Sequence, residues 1–221
     1  MAAAQLVGNN QQIGLGSGKA SLAFVRALGK RIKDEKLQIL GVPTSIQTEQ
    51  VAREVGVPLT TLSQVEYLDL TVDGADEVDP QLNLIKGGGG YLTREKVVAS
   101  ISKRFVIVVG EEKIVTQLGT RFPVFLEVLE FAKAVVTRRL QAMGAVVSPR
   151  KGADGKDYIT DNGNPYLQCQ FPPPPVAIGD PVKLDRTLHS IPGIIETALF
   201  IGMTNEVMVA HTDNSIKRLT R

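Results

Sequence analysis

Cysteine is almost absent from this chain. Cys169 is the only one in 221 residues, so no disulfide can form within the chain and no cysteine-built metal cluster is available. Histidine is nearly as scarce: His189 and His211 are isolated. Neither has the spacing of a metal ligand pair, and each reads as a structural or exposed side chain. No apolar run approaches the length of a membrane helix. Met1, Ala2, Ala3 and Ala4 lack the charged and apolar regions of a signal peptide. The cytoplasm is the expected compartment, with a processed organellar protein as the alternative. A net charge of +2 without a long basic run gives no footprint for nucleic acid. The rest of the composition, 43% hydrophobic and 22% charged, is ordinary for a globular chain. The length suits one domain, or a larger one with a small companion.

What the chain does have is a concentration of unusual residues at 73–96. Asp73, Gly74, Ala75, Asp76 and Glu77 come first. Lys86 follows, then four glycines, Gly87 to Gly90, then Leu92, Thr93, Arg94, Glu95 and Lys96. The preceding run at 68–72 is apolar and β-branched and predicts a strand, so Asp73 and Asp76 stand just past its end. Ligands of an open parallel sheet lie beyond the carboxyl ends of its strands. Consecutive glycines let backbone amides approach a ligand with no Cβ in the way. Thr93 is the expected N-cap of a helix, with Leu92 and Val97 as a hydrophobic staple and Val97, Val98 and Ile101 as the buried side. Glu95 then falls in the first turn, where the helix dipole favours its anion, and is a candidate proton abstractor. Alone, the acidic segment reads as a turn and the glycines as a flexible loop. Their combination with Lys86 and Glu95 is what turn chemistry leaves unexplained.

Residues 12–15 predict a first strand. It runs into Gly16, Ser17, Gly18, Lys19 and Ala20, and then a helix with Phe24, Val25, Leu28 and Ile32 on one side. Strand, glycine-rich turn and helix together offer amides and a helix N-terminus to a phosphate. A P-loop is not matched: Ile13 stands where it needs glycine, and Ala20 where it needs Ser or Thr. A dinucleotide fingerprint fails at Lys19. A second strand is expected at 37–40, and Thr44 or Ser45 caps a helix carrying Ile46, Val51 and Val55. The unbroken apolar run at 105–109 predicts a central parallel strand, followed by Gly110, Glu111, Glu112 and Lys113. Ser17, Asp73 and Lys113 thus all follow parallel strands, which gathers them along one sheet edge.

From Pro123 the pattern changes. Strands at 124–128, 145–148, 166–170 and 195–200 and helices at 132–143 and 180–189 follow one another as β-α-β-β-α-β, the ferredoxin-like order. A turn is expected at 161–164, and the four prolines at 172–175 stiffen a connection. A last strand at 206–210 returns to the first domain. The expected fold is α/β: a Rossmann-like parallel-sheet domain over 1–122 plus 201–221, with a smaller ferredoxin-like α+β domain, 123–200, inserted before the last strand.

Residues 73–96 resemble the signature of the ribose-5-phosphate isomerase type A family, which carries Asp-Gly-Ala-Asp-Glu, then Ile-Lys-Gly-Gly-Gly, then Leu-Thr-Arg-Glu-Lys. The likeness runs over nearly the whole chain. It implies interconversion of D-ribose 5-phosphate and D-ribulose 5-phosphate by proton transfer through an enediolate, with no metal and no cofactor. On that resemblance Glu95 is the base and Lys86 the oxyanion partner. Asp73 and Asp76 serve hydroxyl binding, ring opening and proton shuttling. Gly74, Ala75, Gly87, Gly88 and Gly89 line the substrate, and Ser17, Gly18, Lys19, Ala20 and Lys113 serve the phosphate end. The family has a hydroxyl pair where this chain has Lys19 and Ala20, a departure that bears on phosphate affinity. The resemblance also implies a homo-oligomer, dimer or tetramer, whose partner is a pentose 5-phosphate rather than nucleic acid or membrane. A phosphosugar-binding protein without turnover is the alternative.

Overall fold

The computed structural model of the protein describes residues 2–171 and 178–221; the four prolines at 172–175 lie outside them. In chain order the elements are β1 (Gln11–Leu15), α1 (Lys19–Glu35), β2 (Ile39–Pro43), α2 (Ile46–Glu54), β3 (Leu70–Asp73), β4 (Glu77–Val78), β5 (Leu84–Ile85) and α3 (Leu92–Ser100). There follow β6 (Phe105–Gly110), β7 (Val124–Val128), α4 (Lys133–Ala142), β8 (Val146–Pro149), β9 (Tyr166–Gln170), α5 (Pro181–His189), β10 (Ile194–Thr197), β11 (Leu199–Phe200), β12 (Glu206–Ala210) and β13 (Ile216–Thr220). The chain divides into two units. One comprises Met1–Gly74, Arg94–Glu112 and Met203–Arg221, the other Ala75–Thr93 and Lys113–Gly202.

The first unit is built on a six-stranded sheet in the order β13-β12-β6-β3-β1-β2. All its pairs are parallel except β12 with β13. β6 lies between β3 and β12, and its Phe105, Val106, Ile107 and Val109 are buried, which is why it reads as a continuous apolar run. The strand order reverses at β1, whose neighbours are β2 and β3. The switch point of the sheet therefore falls between β1 and β3, and ligands of open α/β sheets bind beyond the carboxyl ends of strands at such a point. Phe24, Val25 and Leu28 of α1 are buried in the same core as Ile13 and Leu15 of β1.

Three local readings are corrected here. The second strand lies at Ile39–Pro43 rather than 37–40, because pairing with β1 sets Gln11 against Ile39 and Leu15 against Pro43. Val97 in α3 is 44% exposed rather than buried. Thr93 is already inside α3, which starts at Leu92, so no Leu92–Val97 staple forms. α3 packs through Val98: a Cβ on Gly14 of β1 would lie 2.6 Å from its side chain.

The second unit contains a four-stranded antiparallel sheet ordered β10-β7-β9-β8. With α4 after β7 and α5 after β9, this is the ferredoxin-like arrangement. Asp180 caps α5 by accepting the Lys183 N–H at 2.9 Å, with Pro181 in the first turn, a position where its missing N–H costs nothing. A three-stranded sheet, β11-β5-β4, completes the unit. The single strand expected at 195–200 is thus two: β10 pairs with β7, and β11 pairs with β5. Among the described residues no helix is long and apolar enough to cross a membrane.

Candidate active site

The first unit places its chemistry at the switch point. β3 ends on Asp73, which is 1% exposed, and β1 is followed at once by Gly16 and Ser17. The Asp73 Oδ1 atom accepts the N–H of Ser17 at 3.1 Å, the Ser21 hydroxyl at 2.9 Å and the N–H of Gly74 at 2.8 Å. Gly16 is obligatory in this arrangement, since a Cβ there would stand 2.2 Å from Oδ1. Ala20 lies beside Gly74.

The Ser17 hydroxyl is buried in a cluster in which the sequence pattern marks Thr44 and Ser45 only as caps. Its oxygen is 2.7 Å from that of Ser45, 2.8 Å from Thr44 and 3.1 Å from Thr48. Ser45 does cap α2, accepting the Thr48 N–H at 3.0 Å, while Thr44 and Thr48 donate to the Leu15 and Gly16 carbonyls. The cluster locks the β1–α1 turn from behind. Gly18 is the N-cap of α1 at φ 85°, with no side-chain cap. The first amides of this 17-residue helix therefore need partners from outside it, and the helix dipole suits an anion there. Lys19 and Ala20, its first two residues, are exposed. Glu95, 5% exposed, sits in the first turn of α3, where the positive end of that helix favours its carboxylate.

The second unit holds the other group of expected residues. Lys86 is 2% exposed, with its N–H donated to the Ala198 carbonyl at 3.0 Å and its ammonium 5.3 Å from the Phe200 ring centre. The glycines make a turn closed by Gly90 N–H to the Gly87 carbonyl at 2.9 Å. Gly87 and Gly90 have φ of 94° and 95°, a region other residues avoid. Asp76 is held by its own N–H on the Ile85 carbonyl, and its Oδ2 accepts the Gly88 N–H at 2.7 Å. Ala75 precedes it at the head of the unit. Lys113 lies in a short 3-10 turn after β6, its ammonium 4.6 Å over the Phe122 ring.

Two further buried carboxylates in this unit are scaffold. Glu77 accepts the N–H groups of Gly119, Arg121 and Phe122, and Glu127 is ringed by Thr93, Thr160, Asn162 and Asn164. Their protein donors mark both as structural, and neither is among the acids expected to be catalytic. Arg150 and Tyr166, which touch the glycine run, were not anticipated.

Fold and side chains together define a two-unit α/β protein, a Rossmann-like sheet with a ferredoxin-like companion, carrying a buried aspartate at the sheet switch point, a buried glutamate at a helix start, and a lysine–glycine turn. A model of the family Ribose 5-phosphate isomerase A (phosphoriboisomerase A) matches residues 40–214. The chain is 44% identical over 211 residues to the Ribose-5-phosphate isomerase A of Thermosynechococcus vestitus, covering 94% of this chain and 87% of that one. Among solved structures, ribose 5-phosphate isomerase A from Methanocaldococcus jannaschii superposes with a TM-score of 0.93 at 37% identity, over 100% of this chain and 95% of that one. A D-ribose-5-phosphate isomerase in complex with phospho-erythronic acid gives 0.94 at 37% identity, with coverage of 100% and 95%. The chain belongs to the ribose 5-phosphate isomerase A family.

Proposed function

We propose that this protein interconverts D-ribose 5-phosphate and D-ribulose 5-phosphate, a step of the non-oxidative pentose phosphate pathway, by moving a proton between C2 and C1 through an enediolate. The observation that carries the assignment of the base is Glu95, a buried carboxylate in the first turn of a helix. It removes the proton from one carbon and returns it to the other; positioned proton transfer of this kind contributes about 10²–10⁴-fold. Lys86 and the glycine-run amides meet the negative charge that develops on oxygen, and one such donor is worth about 10²–10³ in rate. Asp73 and Asp76 bind hydroxyls and shuttle protons during ring opening. The turn from Ser17 to Ala20 and the start of α1 receive the phosphate, with Lys113 assisting. Phospho-erythronic acid, the molecule bound by one structural relative, is a phosphorylated acid whose carboxylate oxygens resemble the paired oxygens of an enediolate.

The ligand is accordingly a pentose 5-phosphate, and the protein acts as a cytoplasmic homo-oligomer. The experiment is direct. Purified protein forms ketose from ribose 5-phosphate without added metal, and Glu95→Gln lowers kcat by about 10²–10⁴-fold with KM little changed. Wild-type protein that binds ribose 5-phosphate by calorimetry without turning it over establishes the second reading, a phosphosugar-binding protein, which the exposed Lys19 and Ala20 in place of a hydroxyl pair favour. Near-normal turnover by the Glu95→Gln variant overturns the choice of base.

A further inference from the structure

The glycine run carries a directional constraint that its own sequence does not supply. Glycine peptides are the freest in a chain, so four of them need external anchors to present an amide in one fixed direction. The second unit supplies two. Tyr166, on β9, donates its hydroxyl to the Gly87 carbonyl at 2.6 Å. Arg150, just after β8, donates Nη2 to the Gly88 carbonyl at 2.5 Å. Both anchors are themselves braced. Tyr166 stacks on Phe125, with ring centres 5.5 Å apart and planes at 11°, and meets Tyr158 edge-on at 5.8 Å. The Arg150 guanidinium lies 4.5 Å from the Tyr158 ring centre, and its main chain pairs with Tyr166 and Tyr158.

In a trans peptide the C=O and the following N–H point in opposite directions. The peptide joining Gly87 to Gly88 is therefore held at both ends, by Tyr166 on oxygen and by Asp76 on nitrogen. The peptide joining Gly88 to Gly89 is held by Arg150 on oxygen, which turns the Gly89 N–H directly away from Arg150. The Gly90 N–H is engaged by the turn itself. The amides of Gly88 and Gly90 are thus both engaged within the unit, and Gly89 between them is exposed.

We propose that Arg150 and Tyr166 are positioning residues for the isomerisation: they hold the glycine turn so that the Gly89 N–H is preorganised as the amide donor to the developing oxyanion. This rests on the isomerase reading above. Neither residue touches the sugar; both act through the peptide they hold. Preorganised donors aimed at transition-state charge change kcat more than ground-state binding.

Tyr166→Phe tests this with the ring stack intact, and Arg150→Met removes the other anchor. Each is expected to lower kcat roughly 3–10-fold, the worth of one net hydrogen bond. Phospho-erythronic acid should inhibit each variant more weakly by a similar factor, while KM for ribose 5-phosphate stays within about 2-fold. Normal kcat in both variants overturns the proposal. So does a loss of kcat that leaves inhibition by phospho-erythronic acid unchanged, because that marks a merely structural role. A wild-type protein without turnover sinks the isomerase reading instead, so the two failures are distinct.

Discussion

Asp73 and Ser17 meet at the switch point of the sheet, the carboxylate accepting the serine N–H at 3.1 Å. The contact exists because Gly16 has no side chain: a Cβ there would also lie 2.6 Å from the Val72 carbonyl, which is backbone and cannot swing aside. Gly16→Ala is therefore expected to lower the unfolding free energy by about 1–3 kcal/mol, the usual cost of forcing atoms into a packed site. It should also lower isomerase activity, since the two strand ends pushed apart carry Asp73 (β3) and the turn to α1 (β1). Urea unfolding followed by circular dichroism measures the first effect, and the ketose assay the second. Unchanged stability would show that the strands separate there without cost.

Lys19 opens α1 and is exposed, so its interaction with a phosphate is screened. Exposed ion pairs are worth about 0.2–1 kcal/mol, and Lys19→Ala should raise KM roughly 2–5-fold while leaving kcat alone. Because screening acts over about 8 Å at physiological salt, the KM values of variant and wild type should converge as ionic strength rises. Initial rates in rising salt check this; an unchanged KM at low salt would remove Lys19 from the phosphate end.

Cys169 is fully buried on β9, and burial pushes its thiol up to about 12 from the ordinary 9.0. The thiolate is the reactive form, so a disulfide reagent at pH 8 should label native protein only as fast as it opens, and one thiol per chain in denaturant. The folded state holds this proton more tightly than the unfolded state. The contribution of this thiol to stability is therefore fully present below pH 9 and is lost between pH 9 and 12, at up to about 1.4 kcal/mol per pH unit. Cys169→Ala should flatten that decline in denaturation curves across the range.

Much of this was legible in the sequence for definite reasons. β6 is an unbroken apolar run and β7 nearly so, while β9 ends in apolar–polar alternation after Pro165, so all three are readable from pattern alone. Asp73 and Ser17 were legible because each follows a predicted strand and adjoins a glycine. β13 escaped notice: its Lys217 and Arg218 are exposed, as suits an edge strand protected from further pairing, and no buried stripe marks it. β4 and β5, at two residues each, are too short for any period. Reading Thr93 as a cap starts α3 at Arg94, two residues after its actual first residue, Leu92. Arg150 and Tyr166 reach glycines 62 and 79 positions away, and nothing local to either residue announces such a partner.

Glu127 supplies the sharpest test of the second unit. Its carboxylate, 1% exposed, accepts Thr93 Oγ1 at 2.5 Å, Thr160 Oγ1 at 3.0 Å, Asn162 Nδ2 at 3.1 Å and Asn164 Nδ2 at 2.7 Å. Glu127→Ala strips several donors of their acceptor at once, and an unsatisfied buried group costs about 1–3 kcal/mol. Some donors will recover partners as the turn at 161–164 relaxes, so a loss of about 2–4 kcal/mol in unfolding free energy is expected. Glu127→Gln keeps one acceptor oxygen but sets an NH₂ against donors, and should fall between the alanine variant and wild type. Thr93 stands two residues before Glu95 in α3. Well below the melting temperature, kcat should therefore fall in the same order as stability. Urea denaturation and the ketose assay on the same preparations check both, and a stable, fully active Glu127→Ala would show that the network holds neither the turn nor the start of the helix.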